Sequence, residues 1–317
     1  MNLAGKAIWV TISDVAAKGL GFAATVYIAR TLGPENYGLI TVALSALGYL
    51  MWVADLGLSN IGVRETAREP EHRTFRAKEI FITKLSMGML VFLFSFWLLP
   101  LLELSSLQTE ILRWYLFSIL IYSLSIEWLF NGKQEYVKLA IARILQSGLY
   151  LLLIFLTVKQ PEEVSLIPKI YLISVFASAL LLFILLKSIR FRTLSFRSFR
   201  SIKDLIIKGS YVGLGGFFAQ TVNLLPPLVI AYALNYTESG IYMAAFKVIL
   251  IVMIADKVFV TLLIPSLSRQ WGNNAEAAHD HIFKTYRILL FSGLLSSLLV
   301  ILLAEPIIQL IYSESYA

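Results

Sequence analysis

Unbroken apolar runs of about twenty residues, separated by short polar connections, recur along the whole chain. A helix needs about 20 largely apolar residues to cross a bilayer. On that rule the pattern predicts nine helices, near 7–29, 38–63, 79–100, 111–131, 141–158, 168–187, 208–233, 240–266 and 284–304. The runs lack the apolar–polar alternation of barrel strands, so the fold class is all-α, a polytopic membrane protein.

Composition sharpens this picture. Of the 317 residues 58% are hydrophobic and only 15% charged, too apolar for a soluble globule of this size. The net charge of +7 sits in short blocks between the apolar runs, which fits membrane orientation better than a nucleic-acid surface. Arg64, Arg68, Arg73, Arg76 and Lys78 follow the second run. Lys133, Lys138 and Arg143 follow the fourth, and Lys187, Arg190, Arg192, Arg197, Arg200, Lys203 and Lys208 follow the sixth. The alternate connections are short and nearly free of basic residues, which places the N-terminus in the cytoplasm of a multi-pass protein of the cell membrane. There are no cysteines, so disulfides, thiol catalysis and thiolate metal sites are excluded.

The chain also matches itself weakly at an offset of about 202 residues. ARTLGPENYGLITVA from Ala29 faces AYALNYTESGIYMAA from Ala231, pairing Gly38 with Gly240 and Ala43 with Ala245. Six spans separate the copies, so both begin on the same side, as in two-lobed transporters built from parallel six-helix repeats. The expected organisation is a first lobe over 1–187, a basic amphipathic linker over 188–207, and a second lobe from 208 to 317. By the offset, that second lobe holds about three helices of six and is expected to be incomplete.

With the repeat in view, ARTLGPENYGLITVALSALGYLMWVADLGLSNIGVRETAR resembles the first two spans of Wzx-type flippases of polysaccharide and O-antigen repeat units. EWLFNGKQEYVKLAIARI, AAFKVI, LIPSLSR and AEPIIQLIYSESY are similar to later landmarks of the same family. That family is a branch of the exporter superfamily that also holds drug/cation antiporters. The resemblance implies a two-lobed fold that moves a lipid-linked oligosaccharide from the inner to the outer leaflet, without enzymatic chemistry or cofactor. It implies membrane lipids as surroundings and the polysaccharide polymerase machinery as a candidate partner.

Ionisable residues inside the runs point to transport by a separate route, because each costs on the order of 3 kcal/mol near the bilayer centre unless it meets water or a partner. Asp14 and Lys18 lie about 10 and about 16 Å into the first helix from its inner end, and Asp55, Asp256 and Lys257 lie at a similar depth. Lys247 falls in the outer half. Lys18, Lys247 and Lys257 are candidates to hold a diphosphate head group. Asp14, Asp55 and Asp256 are candidates for charge pairing or ion coupling. Asp14 and Lys18, one helical turn apart, could instead satisfy each other, and Asp55 could pair with Lys257.

Other features carry less. The segment 187–208 could rest on the inner leaflet as an amphipathic helix or act as a plain basic connection. Gly213, Gly215 and Gly216 suit close helix packing, and Pro226-Pro227 should break or kink the seventh span. His279 and His281 have the wrong spacing for one helical face and are expected in a solvated loop, so no metal site is expected. Two rivals to the flippase stand: a drug/cation antiporter of the same fold, and a membrane glycosyltransferase or glycan polymerase, for whose chemistry the short outer loops leave little room.

Overall fold

Among the described residues of the computed structural model (3–68, 73–186, 199–250 and 275–316) every regular element is helical. Helices α1 (Leu3–Asp55), α2 (Leu58–Arg68), α3 (Arg73–Leu98), α4 (Ser106–Leu124), α5 (Glu127–Gly132), α6 (Tyr136–Thr157), α7 (Leu166–Ile184) and α8 (Phe199–Ala233) come first. A ninth, α9, is described over 236–250, and α10 spans Ala275–Ile311. Among the described residues, six helices are long and apolar enough to cross a membrane. One of these, Asp14–Asp55, holds two of the expected spans. The chain divides into two compact units, Met1–Gly240 and Ile241–Ala317.

Several boundaries differ from the expected ones, each for a local reason. The first two spans join into one helix interrupted only at Gly33, whose φ of 75° an L side chain rarely adopts. The second span stops at Asp55 rather than near 63, because Leu56 and Gly57 take φ values of 43° and 77°. The fourth ends at Leu124, and α5 follows as a separate short helix. Pro226 and Pro227 were expected to break or kink the seventh span; α8 is not broken there and runs through both. The Pro227 carbonyl accepts a 2.9 Å hydrogen bond from Ser239 Oγ. His279 and His281 fall inside α10 and not in a loop. Of the expected linker over 188–207, residues 188–198 lie outside the described residues and residues 199–207 form the first turns of α8.

In the first unit α1 packs against α6, α8, α4 and α3, while α4 and α6 both pack on α7. The core is apolar and aromatic. Tyr115, Tyr150 and Tyr171 stack edge-on between α4, α6 and α7, with ring centroids 5.6 and 6.0 Å apart. Leu90, Phe94 and Trp97 of α3 are exposed instead, as a lipid-facing stripe requires.

The connections segregate to two ends. At one end Tyr27 donates to the Val158 carbonyl at 2.9 Å, Lys169 pairs with Glu110 at 2.8 Å, and Gln108 donates to the Tyr236 hydroxyl at 3.1 Å. The turns near 33, 105, 160 and 235 therefore lie together. At the other end Gly62 meets the Trp128 ring, Gly132 meets Thr66, and Gly57 meets Gly209 and Gly213. This alternation is the one the basic-residue pattern predicts. The contacts at the first end also follow the repeat. Gly38 touches Tyr236 and Gly240, while Gly240 touches Pro34 and Gly38. By the 202-residue offset Pro34 corresponds to Tyr236 and Gly38 to Gly240, so this contact is reciprocal, as two-fold related copies require.

In the second unit α10 exposes leucines and isoleucines along its length, among them Ile288, Leu294, Leu298 and Ile301. A helix apolar all round belongs in lipid or against other apolar helices.

Candidate functional site

Two ionic clusters and one glycine seam stand out among the described residues of the first unit. The deeper cluster begins where α1 stops. Asp55 accepts from the Ser59 N–H at 3.2 Å and the Ser59 hydroxyl at 2.5 Å, capping the first turn of α2. Lys84, on α3, sits 3.1 Å from the same carboxylate and donates to Ser59 Oγ at 2.7 Å. Its ammonium also lies over the Tyr122 ring, 5.1 Å from the centroid. Asp55 is 6% exposed and Lys84 2%, so the pair is withdrawn from solvent and from lipid.

The second cluster is more open. Arg143 of α6 donates to Asp14 of α1 at 2.8 Å and to Glu127 of α5 at 3.3 Å. All three side chains are about a third exposed. One guanidinium serving two carboxylates leaves a formal charge of −1, within reach of water.

The seam joins the second half of α1 to α8. A Cβ at Gly216 would collide with the Trp52 ring, and one at Gly57 would come within 2.6 Å of the Gly209 carbonyl. The Tyr49 and Phe217 rings meet at a tilt, their centroids 5.5 Å apart. Glycines let the backbones approach, which is the role expected for Gly213 and Gly216. Gly215 has open space and takes no part.

Of the residues singled out in the sequence, Asp14, Lys18, Asp55 and Lys247 are among the described ones. Asp14 pairs with Arg143 and not with Lys18. Asp55 pairs with Lys84 inside the first unit. Lys18 is exposed, with no ion pair among the described residues, and Lys247 is half-buried in the second unit. Asp256 and Lys257 lie outside the described residues. Lys84 and Glu127 were not anticipated. Lys84 falls inside the expected third span, and that placement alone should have marked it. Arg143 was counted with a connection, but α6 starts at Tyr136 and carries it two turns inward.

These features define the class: a polytopic helical membrane protein with one buried ion pair, a more open ionic cluster and a glycine seam between antiparallel helices. The fold is shared with a solved transporter. The structure has a TM-score of 0.69 to the inward-facing conformation of a multidrug resistance MATE family transporter of the MOP superfamily, at 18% identity, covering 94% of this chain and 73% of that one. The polysaccharide biosynthesis protein family matches residues 3–271, and the chain belongs to that family. It is also 30% identical over 86 residues to the succinoglycan biosynthesis transport protein ExoT of Rhizobium meliloti (strain 1021). That match takes in 26% of this chain and spans 17% of the relative's length.

Proposed function

We propose that this protein exports polysaccharide precursors, moving polyprenyl-diphosphate-linked oligosaccharide units from the inner to the outer leaflet of the cell membrane. The family membership gives the polysaccharide context. The observation that carries the transport reading is Lys18, exposed at mid-depth in α1 without an ionic partner among the described residues. A lone ammonium at that depth is stable only beside water or an anion, and a diphosphate is such an anion. Lys247 and Lys257 of the second unit are further candidates to bind the head group. The clusters around Asp55 and Asp14 would keep the helices rigid or bind a coupling proton. In this reading the lobes are 1–187 and 208–317, joined by the basic linker 188–207, and the N-terminus is cytoplasmic.

The second reading is a drug/cation antiporter, favoured by the net negative Asp14–Arg143–Glu127 cluster. A strain lacking the gene tests both. Export of oligosaccharide predicts lipid-linked intermediates trapped on the inner leaflet and restored flux with the wild-type gene. Normal surface polysaccharide with raised sensitivity to cationic dyes would favour the antiporter.

A further inference from the structure

Two primary amides sit at the middle of α8, outside both ionic clusters. Asn223 Nδ2 donates to Gln220 Oε1 at 3.0 Å, so the two side chains share one face. Each keeps further donors and acceptors open, since an amide can make about four hydrogen bonds. Gln220 lies about 18 Å from Lys208 and about 20 Å from Ala233 along the helix, near the bilayer midplane. It is nevertheless exposed.

Its direction excludes lipid as the surrounding. The outward stripe of α8 is Leu214, Phe218, Val222, Leu225 and Val229, all strongly exposed. At 3.6 residues per turn Gln220 points about 160° away from both Phe218 and Val222. It therefore lies on the side where Gly216 meets Trp52 and Leu224 meets Gly48. An exposed side chain on a packed face marks an opening in the seam between α8 and α1. Amides facing hydrocarbon without partners would cost several kcal/mol, so that opening holds water or a polar ligand.

The repeat gives the amides a counterpart. By the 202-residue offset Gln220 corresponds to Lys18, the exposed lysine of α1. Lys18 lies on the α1 face that carries Asp14 and, three turns on, the fully buried Ala29. The first helix of each repeat thus carries one exposed polar side chain at the same level, beside the half-exposed Asp14 and Val15 on α1 and on a packed face on α8. One is a cation and the other a neutral hydrogen-bonding pair.

We infer that Gln220 and Asn223 form a sugar subsite, taking hydroxyl groups of the oligosaccharide, while Lys18 takes the diphosphate. This rests on the proposed function above and divides the head group between the two helices by chemistry. Amides both donate to and accept from hydroxyls, whereas a fully ionised diphosphate offers only acceptors.

The native chain has no cysteine, which permits a first test. In detergent-purified full chain, Gln220→Cys should react with a positively charged methanethiosulfonate about tenfold faster than Val222→Cys, because only a water-exposed thiol forms thiolate. Equal rates would overturn the opening. The second test compares farnesyl diphosphate with farnesyl-diphosphate N-acetylglucosamine as binding probes. The double variant Gln220→Leu/Asn223→Leu should bind the sugar-bearing probe at least about fivefold more weakly and the bare diphosphate unchanged. Lys18→Ala should weaken both. If the double variant does not fold, Gln220→Met alone carries the comparison. Unchanged sugar-probe binding in the variants overturns the subsite alone. Failure of the wild-type chain to bind either probe overturns the proposed function together with it.

Discussion

Replacing Lys84 by methionine leaves Asp55 buried with no counter-ion, and the cost can be worked from the structure. At 3.1 Å the two charges attract by about 5 kcal/mol for an effective dielectric of about 20. Desolvation of both groups offsets most of that in the intact pair, so the pair itself adds little. Removing one partner is different, because the remaining carboxylate keeps its desolvation cost, and about 3–5 kcal/mol is lost. Ser59 softens the loss by keeping two hydrogen bonds to Asp55. The thermal unfolding midpoint in detergent, followed by the fraction eluting as intact protein, should therefore drop by about 6 °C or more for Lys84→Met. The double variant Asp55→Asn/Lys84→Met removes both charges and should return to within about 1 kcal/mol of wild type. Because the pair is buried, raising the salt concentration should not change this pattern. If Lys84→Met unfolds at the wild-type temperature, or the double variant is as unstable as the single one, the buried pair does not operate as described.

Gly216→Ala should destabilise by about 1–3 kcal/mol in the same unfolding assay, since its Cβ would strike Trp52, while its neighbour Gly215→Ala should be neutral or slightly stabilising. Arg143→Ala strands two carboxylates, but all three side chains are a third exposed, so its loss should be smaller than that of Lys84→Met, about 1–2 kcal/mol. Single cysteines at Asn235 and Lys203, treated on intact cells with an impermeant thiol reagent, should label at 235 and not at 203. Labelling at 203 would reverse the proposed orientation.

How much of the fold and site was legible in the sequence depended on the kind of signal. Apolar runs are a one-dimensional property, so the helices and their alternation between two ends could be read directly. The ends of helices depend on single backbone dihedrals, and Leu56 with φ of 43° is not a residue that announces a break. Ion pairing was the least legible. Asp14 and Lys18 are one turn apart, yet Asp14 reaches Arg143, 129 residues away, because the packing of α1 on α6 brings them together. Lys84 stands close to a basic connection in the sequence, and only its burial on α3 beside Asp55 gives it a partner. Gln220 carried no charge to attract notice. Its meaning appears only when its exposure is set against the packed face it shares with Gly213 and Gly216.

The most direct test of the central claim is lipid translocation by the purified chain in liposomes. A short-chain polyprenyl diphosphate bearing a fluorescent oligosaccharide would be incorporated in both leaflets, and an impermeant quencher added outside. Export predicts that protein-containing vesicles lose nearly all fluorescence, that protein-free vesicles lose about half, the outer-leaflet share, and that Lys18→Ala vesicles behave like the protein-free ones. If protein-containing and protein-free vesicles quench alike, while the same preparation exchanges ethidium for protons, the chain is an antiporter and does not export lipid-linked oligosaccharide.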